Sequence, residues 1–169
     1  LLDLPSDGEN VNILSAKGLE RLKDPDMPGL MSEEAEKLIN LGNTRDHFHE
    51  LEDCDWIAEA VVERLDIKQA LYRRLNDTCK ESTIITSNTS TIPIQLLTEG
   101  MPTEFCERFA ITHFFNPVRF MRLLELVRGE FTRDDVINTL DVFSEISLGK
   151  GVVSCSDTPG FLANRVGVF

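Results

Sequence analysis

No run of apolar residues in this 169-residue chain approaches the roughly 20 needed to cross a bilayer as a helix. The N-terminus has no basic stretch leading into an apolar one, so a secretory leader is not indicated either. Basic residues are outnumbered, 17 Lys and Arg against 29 Asp and Glu, giving a formal charge of -12. That field argues against a general nucleic-acid binder or an anionic-membrane binder, because both draw affinity from neutralising phosphates. A small anionic ligand stays open, since a local group of cations can act against the global field. Cysteine is scarce. Cys54, Cys79, Cys106 and Cys155 are widely and irregularly spaced, with no CxxC pair, so neither a zinc site nor a disulfide framework is indicated. Reduced thiols in a cytoplasmic protein are the simplest account. Internal repeats and low-complexity segments are also missing. The remaining composition, 41% hydrophobic and 27% charged, is that of an ordinary globular protein long enough for one core.

Strand and helix patterns alternate along the chain. Leu1 to Leu4 reads as a short strand end with Asp3 at its carboxyl edge, and Pro5 to Asn10 as a turn. From Val11 to Lys23, apolar residues recur at helical spacing, with Lys17, Glu20 and Arg21 elsewhere on the wheel. Asp24 to Met31 is a loop, and Ser32 followed by Glu33, Glu34 and Glu36 is a good helix start. Asn43 to Asp53 is polar and reads as a solvated connection, although His47 and His49 beside Asp46 and Glu50 could be drawn as a metal site. Trp56 to Val62 follows as a buried strand, unusual in carrying Glu59. Asp66 to Lys80 is a helix, and Thr83 to Thr86 a brief strand of the buried parallel kind. Pro93 opens a helix to about Glu99, and Gly100 to Glu104 is a loop. Thr132 to Leu148 is a helix and Gly151 to Cys155 a strand. A break at Asp157 to Gly160 precedes a last helical pattern, Phe161 to Phe169. The alternation implies a mainly parallel sheet in an α/β layer fold, where ligands bind at the carboxyl ends of the strands.

The chemistry concentrates in Thr112-His113-Phe114-Phe115-Asn116-Pro117 and in Arg122 to Val127. Two apolar runs flank a turn at Asn116-Pro117, and if the chain returns there, Glu125 can sit beside His113. A carboxylate in that place holds the imidazole in one tautomer and stabilises its protonated form. Taken alone, the two residues favour the plainer reading, a core histidine at a strand end with an unrelated glutamate opposite. Asp3, Glu63, Ser87 to Ser90 and His113 to Asn116 nevertheless all fall at strand ends, and that clustering argues for a site.

Five segments together carry a more specific pattern: Glu59 to Glu63, Ser87 to Ser90, His113 to Pro117, Glu125, and Asp157 to Phe161 with Asn164-Arg165. Their order and spacing resemble the L-3-hydroxyacyl-CoA dehydrogenase family from Leu1 to the end. The resemblance implies a Rossmann-type, doubly wound, mainly parallel sheet over residues 1–156, binding NAD. It further implies that 157–169 begin a C-terminal helical domain that completes the substrate cleft and usually forms the homodimer. Carried over, His113 is the catalytic base and Glu125 its orienting partner, with Ser90, Asn116 and Asn164 lining the reacting region. Asp3 falls where the family has the acid that accepts both adenosine ribose hydroxyls, which favours NAD over NADP. Glu63 and Lys68 fall at cofactor-side positions in the helix-entry loop after the strand that carries Glu59. Each residue has a plainer alternative: Asp3 as a turn residue, Glu63 and Lys68 as a surface pair, the Ser87 to Ser90 hydroxyls as a helix cap, Asn164 as an ordinary helix residue. The order and spacing of the whole set override these.

The implied activity is NAD-dependent oxidation of an L-3-hydroxyacyl-CoA thioester in fatty-acid β-oxidation or hydroxybutyryl-CoA metabolism. The rivals are a same-fold hydroxy-acid dehydrogenase and a catalytically silent dinucleotide-binding or dimerisation module. Lys17, Arg21 and Lys23 are candidates for the CoA phosphates, against a solvated helix face. The family's first strand and glycine-rich GxGxxG turn are not in this sequence, and the chain opens inside an apolar run without a methionine. The expectation is an internal stretch of a longer chain, weakly active or inactive by itself and prone to strand-mediated association.

Overall fold

The structure, a computed structural model, describes residues 1–167. Two sheets form. Strand β1 (Leu2–Asp3) pairs in parallel with β2 (Gly42–Asn43), Leu2 opposite Gly42 and Asp3 opposite Asn43. Gly42 is required at this pairing, because a Cβ there would lie 2.7 Å from the Leu2 side chain and 2.9 Å from the His47 ring. The second sheet runs β3 (Trp56–Glu59), β4 (Ile84–Ser87), β5 (Phe109–Phe114), β6 (Leu123–Arg128) and β7 (Gly151–Cys155), in that order. Its neighbours are parallel except β5 and β6, which are antiparallel.

The helices are α1 (Ile13–Leu22), α2 (Leu65–Thr78), the short α3 (Ile94–Leu97) and α4 (Thr103–Glu107), α5 (Asp134–Ile146) and α6 (Ala163–Gly167). Alternation along β5 divides the core. Phe109 and Ile111 face one layer with Tyr72 and Leu75 of α2, Phe105 and Phe161, while Ala110 faces the other with Leu126 and with Val136 and Leu140 of α5. Tyr72, Phe105 and Phe109 stack at centroid separations of 5.0–5.9 Å, the geometry aromatic pairs prefer. Helices on both faces of a mostly parallel sheet make this the doubly wound, Rossmann-type layering expected from the sequence.

Several local expectations are corrected. Asn43 to Asp53 is not simply solvated: Asn43 is buried in β2, and its amide donates to Asn12 and Asp46. Its N–H goes to His47 Nδ1, which gives that histidine a turn-closing role, and Phe48–Asp53 form a 3-10 helix. The acidic run after Ser32 makes a 3-10 helix, Glu33–Leu38, without a side-chain cap. The strand expected to reach Val62 stops at Glu59. The Glu59 carbonyl accepts the Asn88 N–H and its carboxylate accepts the Val61 N–H, so the chain turns out of the sheet and leaves Val62 exposed. The expected loop after Gly100 contains α4, which starts directly after Pro102.

Thr132 joins the layers at the base of β5. Its buried hydroxyl donates to the Phe109 carbonyl and accepts the Gly129 N–H. Thr132→Val keeps the shape but leaves both backbone groups without this partner. Chemical denaturation is expected to show a loss of about 1–3 kcal/mol, the usual cost of stranding buried polar groups.

Candidate active site

The parallel strands β3, β4 and β5 end along one edge, since Glu59 lies opposite Ser87 and Ser87 opposite Ile111. His113 is two residues beyond Ile111, so it stands on the same face at that carboxyl edge. The antiparallel register of β5 and β6 sets His113 directly opposite Glu125, where side chains are about 5 Å apart at Cβ and can touch. They do. His113 Nδ1 is 2.7 Å from Glu125 Oε2.

Glu125 is fully buried, and its other oxygen accepts the N–H groups of Leu162 and Ala163 at 2.8 and 2.7 Å, at the start of α6. Burial pushes the Glu125 carboxyl up, but the His113 hydrogen bond and the two backbone N–H groups outweigh it and hold the group below its ordinary value. The carboxylate is therefore ionised at neutral pH and accepts only. Nδ1 of His113 is then the donor of this pair, and Nε2 is the ring nitrogen that Glu125 does not engage. Phe115 and Phe161 flank the imidazole at centroid distances of 4.6 and 5.9 Å. Phe161 follows Gly160 (φ 81°) and itself has φ 42°, a left-handed pair that turns the chain from β7 back over the histidine.

The remaining predicted residues sit around this pair in different ways. Asn164 is exposed on α6, next to the Ala163 that bonds Glu125, and Asn116 is exposed just past β5. Ser90 is half-buried, and its hydroxyl has no hydrogen-bond partner among the described residues. Glu63 is partly exposed and accepts the hydroxyls of Thr89 and of Thr91, the latter at 3.0 Å. Burial raises its pKa and these hydroxyls with Lys68 lower it, with a net shift downward. Lys68 is not half of a surface pair: it is 1% exposed, with Nζ 2.6 Å from Glu59 Oε1, 3.4 Å from Glu63 Oε2 and 3.4 Å from the Val61 carbonyl. Its three protons are committed within the protein. Asp3 is exposed at the end of β1, where its carboxylate accepts the Leu4 N–H. It belongs to the other sheet and makes no contact with the His113 pair.

Sequence reasoning missed other contributors. Asn88 Oδ1 accepts the Phe114 N–H at 2.8 Å and ties the β4 loop to the strand carrying His113. Asp157, not a Ser87–Ser90 hydroxyl, caps α3, with both carboxylate oxygens 3.0 Å from the Ile94 nitrogen. Buried Lys150 reaches the carbonyls of Val118 and Met121 and so holds the loop after Pro117. Of the CoA-phosphate candidates, Lys23 is already paired with Glu20 and Glu36, each at 2.8 Å, and Lys17 and Arg21 are exposed.

A model of the 3-hydroxyacyl-CoA dehydrogenase NAD-binding domain matches residues 9–158. The chain belongs to the 3-hydroxyacyl-CoA dehydrogenase family. It is 40% identical over its whole length to a protein of Deinococcus radiodurans named "Probable 3-hydroxyacyl-CoA dehydrogenase", of which it spans 49%. Its fold is similar to two solved structures. One is FadB2 of M. tuberculosis (TM-score 0.77, 31% identity, 95% of this chain and 57% of that one). The other is the 3-hydroxybutyryl-CoA dehydrogenase of Escherichia coli (TM-score 0.72, 35% identity, 91% and 31%). The chain thus spans about half the length, or less, of these relatives. Family membership identifies the cofactor class as NAD, and the donor set fits it. Exposed carboxylates at Asp3 and Glu63 suit ribose hydroxyls, while the free groups of Ser90 and Asn116 suit a neutral amide or a carbonyl. No described helix is long and apolar enough to cross a membrane.

Proposed function

We propose that the protein interconverts L-3-hydroxyacyl-CoA and 3-ketoacyl-CoA with NAD. The observation that carries this is the His113–Glu125 pair at the carboxyl edge of the sheet, both residues buried and Glu125 engaging only Nδ1 of the imidazole. In the oxidative direction Nε2 takes the 3-hydroxyl proton, and Glu125 stabilises the imidazolium that results. Bound NAD supplies the hydride acceptor. Ser90, Asn116 and Asn164 line the reacting region and orient the substrate oxygen, and Asp3 and Glu63 hold the cofactor's ribose hydroxyls. Lys68 stands with Glu63 on the cofactor side of the site.

The same reading divides the chain at about residue 156, with 157–169 opening a helical substrate and dimerisation domain. The turn at Gly160 and the family match ending at 158 support that division, and residues 168–169 lie outside the described residues. It also makes the protein a cytoplasmic homodimer whose partner molecule is an acyl-CoA thioester, with neither nucleic acid nor membrane as a partner. A comparison of acetoacetyl-CoA with free acetoacetate, both with NADH and the full-length protein, tests the substrate class. Turnover of the thioester alone is expected, and turnover of the free acid alone would move the assignment to a hydroxy-acid dehydrogenase.

Asp3 gives a separate prediction. Asp3→Ala removes a charged acceptor for the ribose hydroxyls and the negative charge that repels a 2′-phosphate. NADH affinity is expected to fall about tenfold, as for loss of a hydrogen bond to a charged group. NADPH affinity is expected to rise at the same time, and titration of both cofactors checks the pair of changes.

A further inference from the structure

Glu59 is the one charged residue in the β3 strand, and the structure gives its carboxylate four donors. Oε1 accepts Lys68 Nζ at 2.6 Å and the Val61 N–H at 2.7 Å; Oε2 accepts the Tyr72 hydroxyl at 2.5 Å and the Ser87 hydroxyl at 2.7 Å. Glu59, Lys68, Tyr72 and Ser87 are all at least nine-tenths buried. Burial pushes the Tyr72 hydroxyl far above its ordinary pKa, with the Glu59 charge adding to it, so the phenol stays a donor. A buried ion pair is a poor source of stability, because well-packed apolar residues of similar volume usually serve as well or better. What this one does that apolar residues could not is connect. It joins β3, α2 and β4, and through Lys68 it reaches Glu63.

Glu63 in turn accepts the hydroxyls of Thr89 and Thr91, the two neighbours of Ser90, and the Thr89 hydroxyl also accepts the Ile92 N–H. Ser90 is thus held between two residues pinned to one carboxylate, and that carboxylate is pinned through Lys68 to Glu59. We propose that Glu59 is a positioning residue of this enzyme: through Lys68 and Glu63 it fixes the Thr89–Thr91 loop and so sets Glu63 and Ser90 for the dinucleotide. This rests on the dehydrogenase reading above. Glu59 touches neither substrate nor cofactor in this account, and Tyr72 and Ser87 serve it as fixed donors.

Glu59→Gln in the full protein tests the proposal. The amide keeps the shape but removes the charge that holds Lys68. The NADH dissociation constant, read by nucleotide fluorescence, is expected to rise about tenfold, the scale of one lost charged hydrogen bond. The KM for acetoacetyl-CoA is expected to change less than the NADH dissociation constant, because that substrate meets the network only through Ser90, and amide exchange at Asn88 to Thr91 is expected to speed up. A folded Glu59→Gln protein with unchanged NADH affinity and unchanged exchange would overturn the proposal, whatever its melting temperature. If that variant does not fold, Tyr72→Phe decides, since it keeps both charges and removes one donor. A rise of about threefold in the NADH dissociation constant is expected from a lost neutral-strength bond, and an unchanged value would overturn the proposal. Absence of NADH binding by the unsubstituted protein would instead defeat the dehydrogenase reading itself.

Discussion

Glu125→Ala is expected to cost the protein about 3–5 kcal/mol, since each donor stranded without its acceptor costs about 1–3 kcal/mol. The carboxylate is fully buried, and its deletion leaves His113 Nδ1, the Leu162 N–H and the Ala163 N–H without their acceptor. The loss should also loosen α6 from the sheet, because those two N–H groups are the polar attachment of its first turn. Urea denaturation at neutral pH measures the cost. The pH dependence gives a second check. The Glu125 carboxyl is held below its ordinary value of 4.5, so the stability it contributes is fully present above that value. It is lost as pH falls through the lowered native value, and Glu125→Ala should lack that part of the acid dependence. A variant as stable as the unsubstituted protein at neutral pH would mean that the pair is not the structural link described here.

His113→Gln is expected to act differently, with little loss of stability and a large loss of rate. Glutamine retains an N–H that can donate to Glu125, but it cannot take or return a proton at neutral pH. Loss of a positioned acid-base group typically lowers kcat about 10²–10⁴-fold, and NADH affinity should stay within about twofold because the imidazole holds no part of the dinucleotide. Steady-state rates with acetoacetyl-CoA, set beside NADH binding, separate the two effects. Equal losses in rate and in NADH binding would point to collapse of the site and not to loss of a proton carrier.

The difference between the two variants follows from how each residue was legible in the sequence. The strand–turn–strand around Asn116-Pro117 could be read from two apolar runs, and the register that puts His113 opposite Glu125 follows once they pair. Parity along β5 then fixes which face the histidine takes. The second pair of contacts on Glu125 could not be read. It comes from backbone N–H groups 37 and 38 residues away, which carry no side-chain signal. The same holds for Asp157, whose cap on Ile94 spans 63 residues. The burial of Lys68 could not be read, because helical spacing says which residues share a face but not how deeply that face is buried beneath a strand carrying Glu59. Strand β2 was missed for a related reason. Gly42 and Asn43 have low strand propensity, and their burial depends on the close approach of Leu2 and on Asn12 and Asp46 as hydrogen-bond partners. Glu59 did leave a trace, as a charge inside an otherwise apolar strand, and a buried carboxylate of that kind needs partners that a linear pattern does not reveal.

The most direct test of the central claim is oxidation of NADH by the full protein with acetoacetyl-CoA, run beside its His113→Gln form and with NADH binding measured on both. The account predicts turnover by the unsubstituted protein, near-complete loss in the variant, and the same NADH affinity in each. Tight NADH binding without any acetoacetyl-CoA turnover by the unsubstituted protein would contradict it.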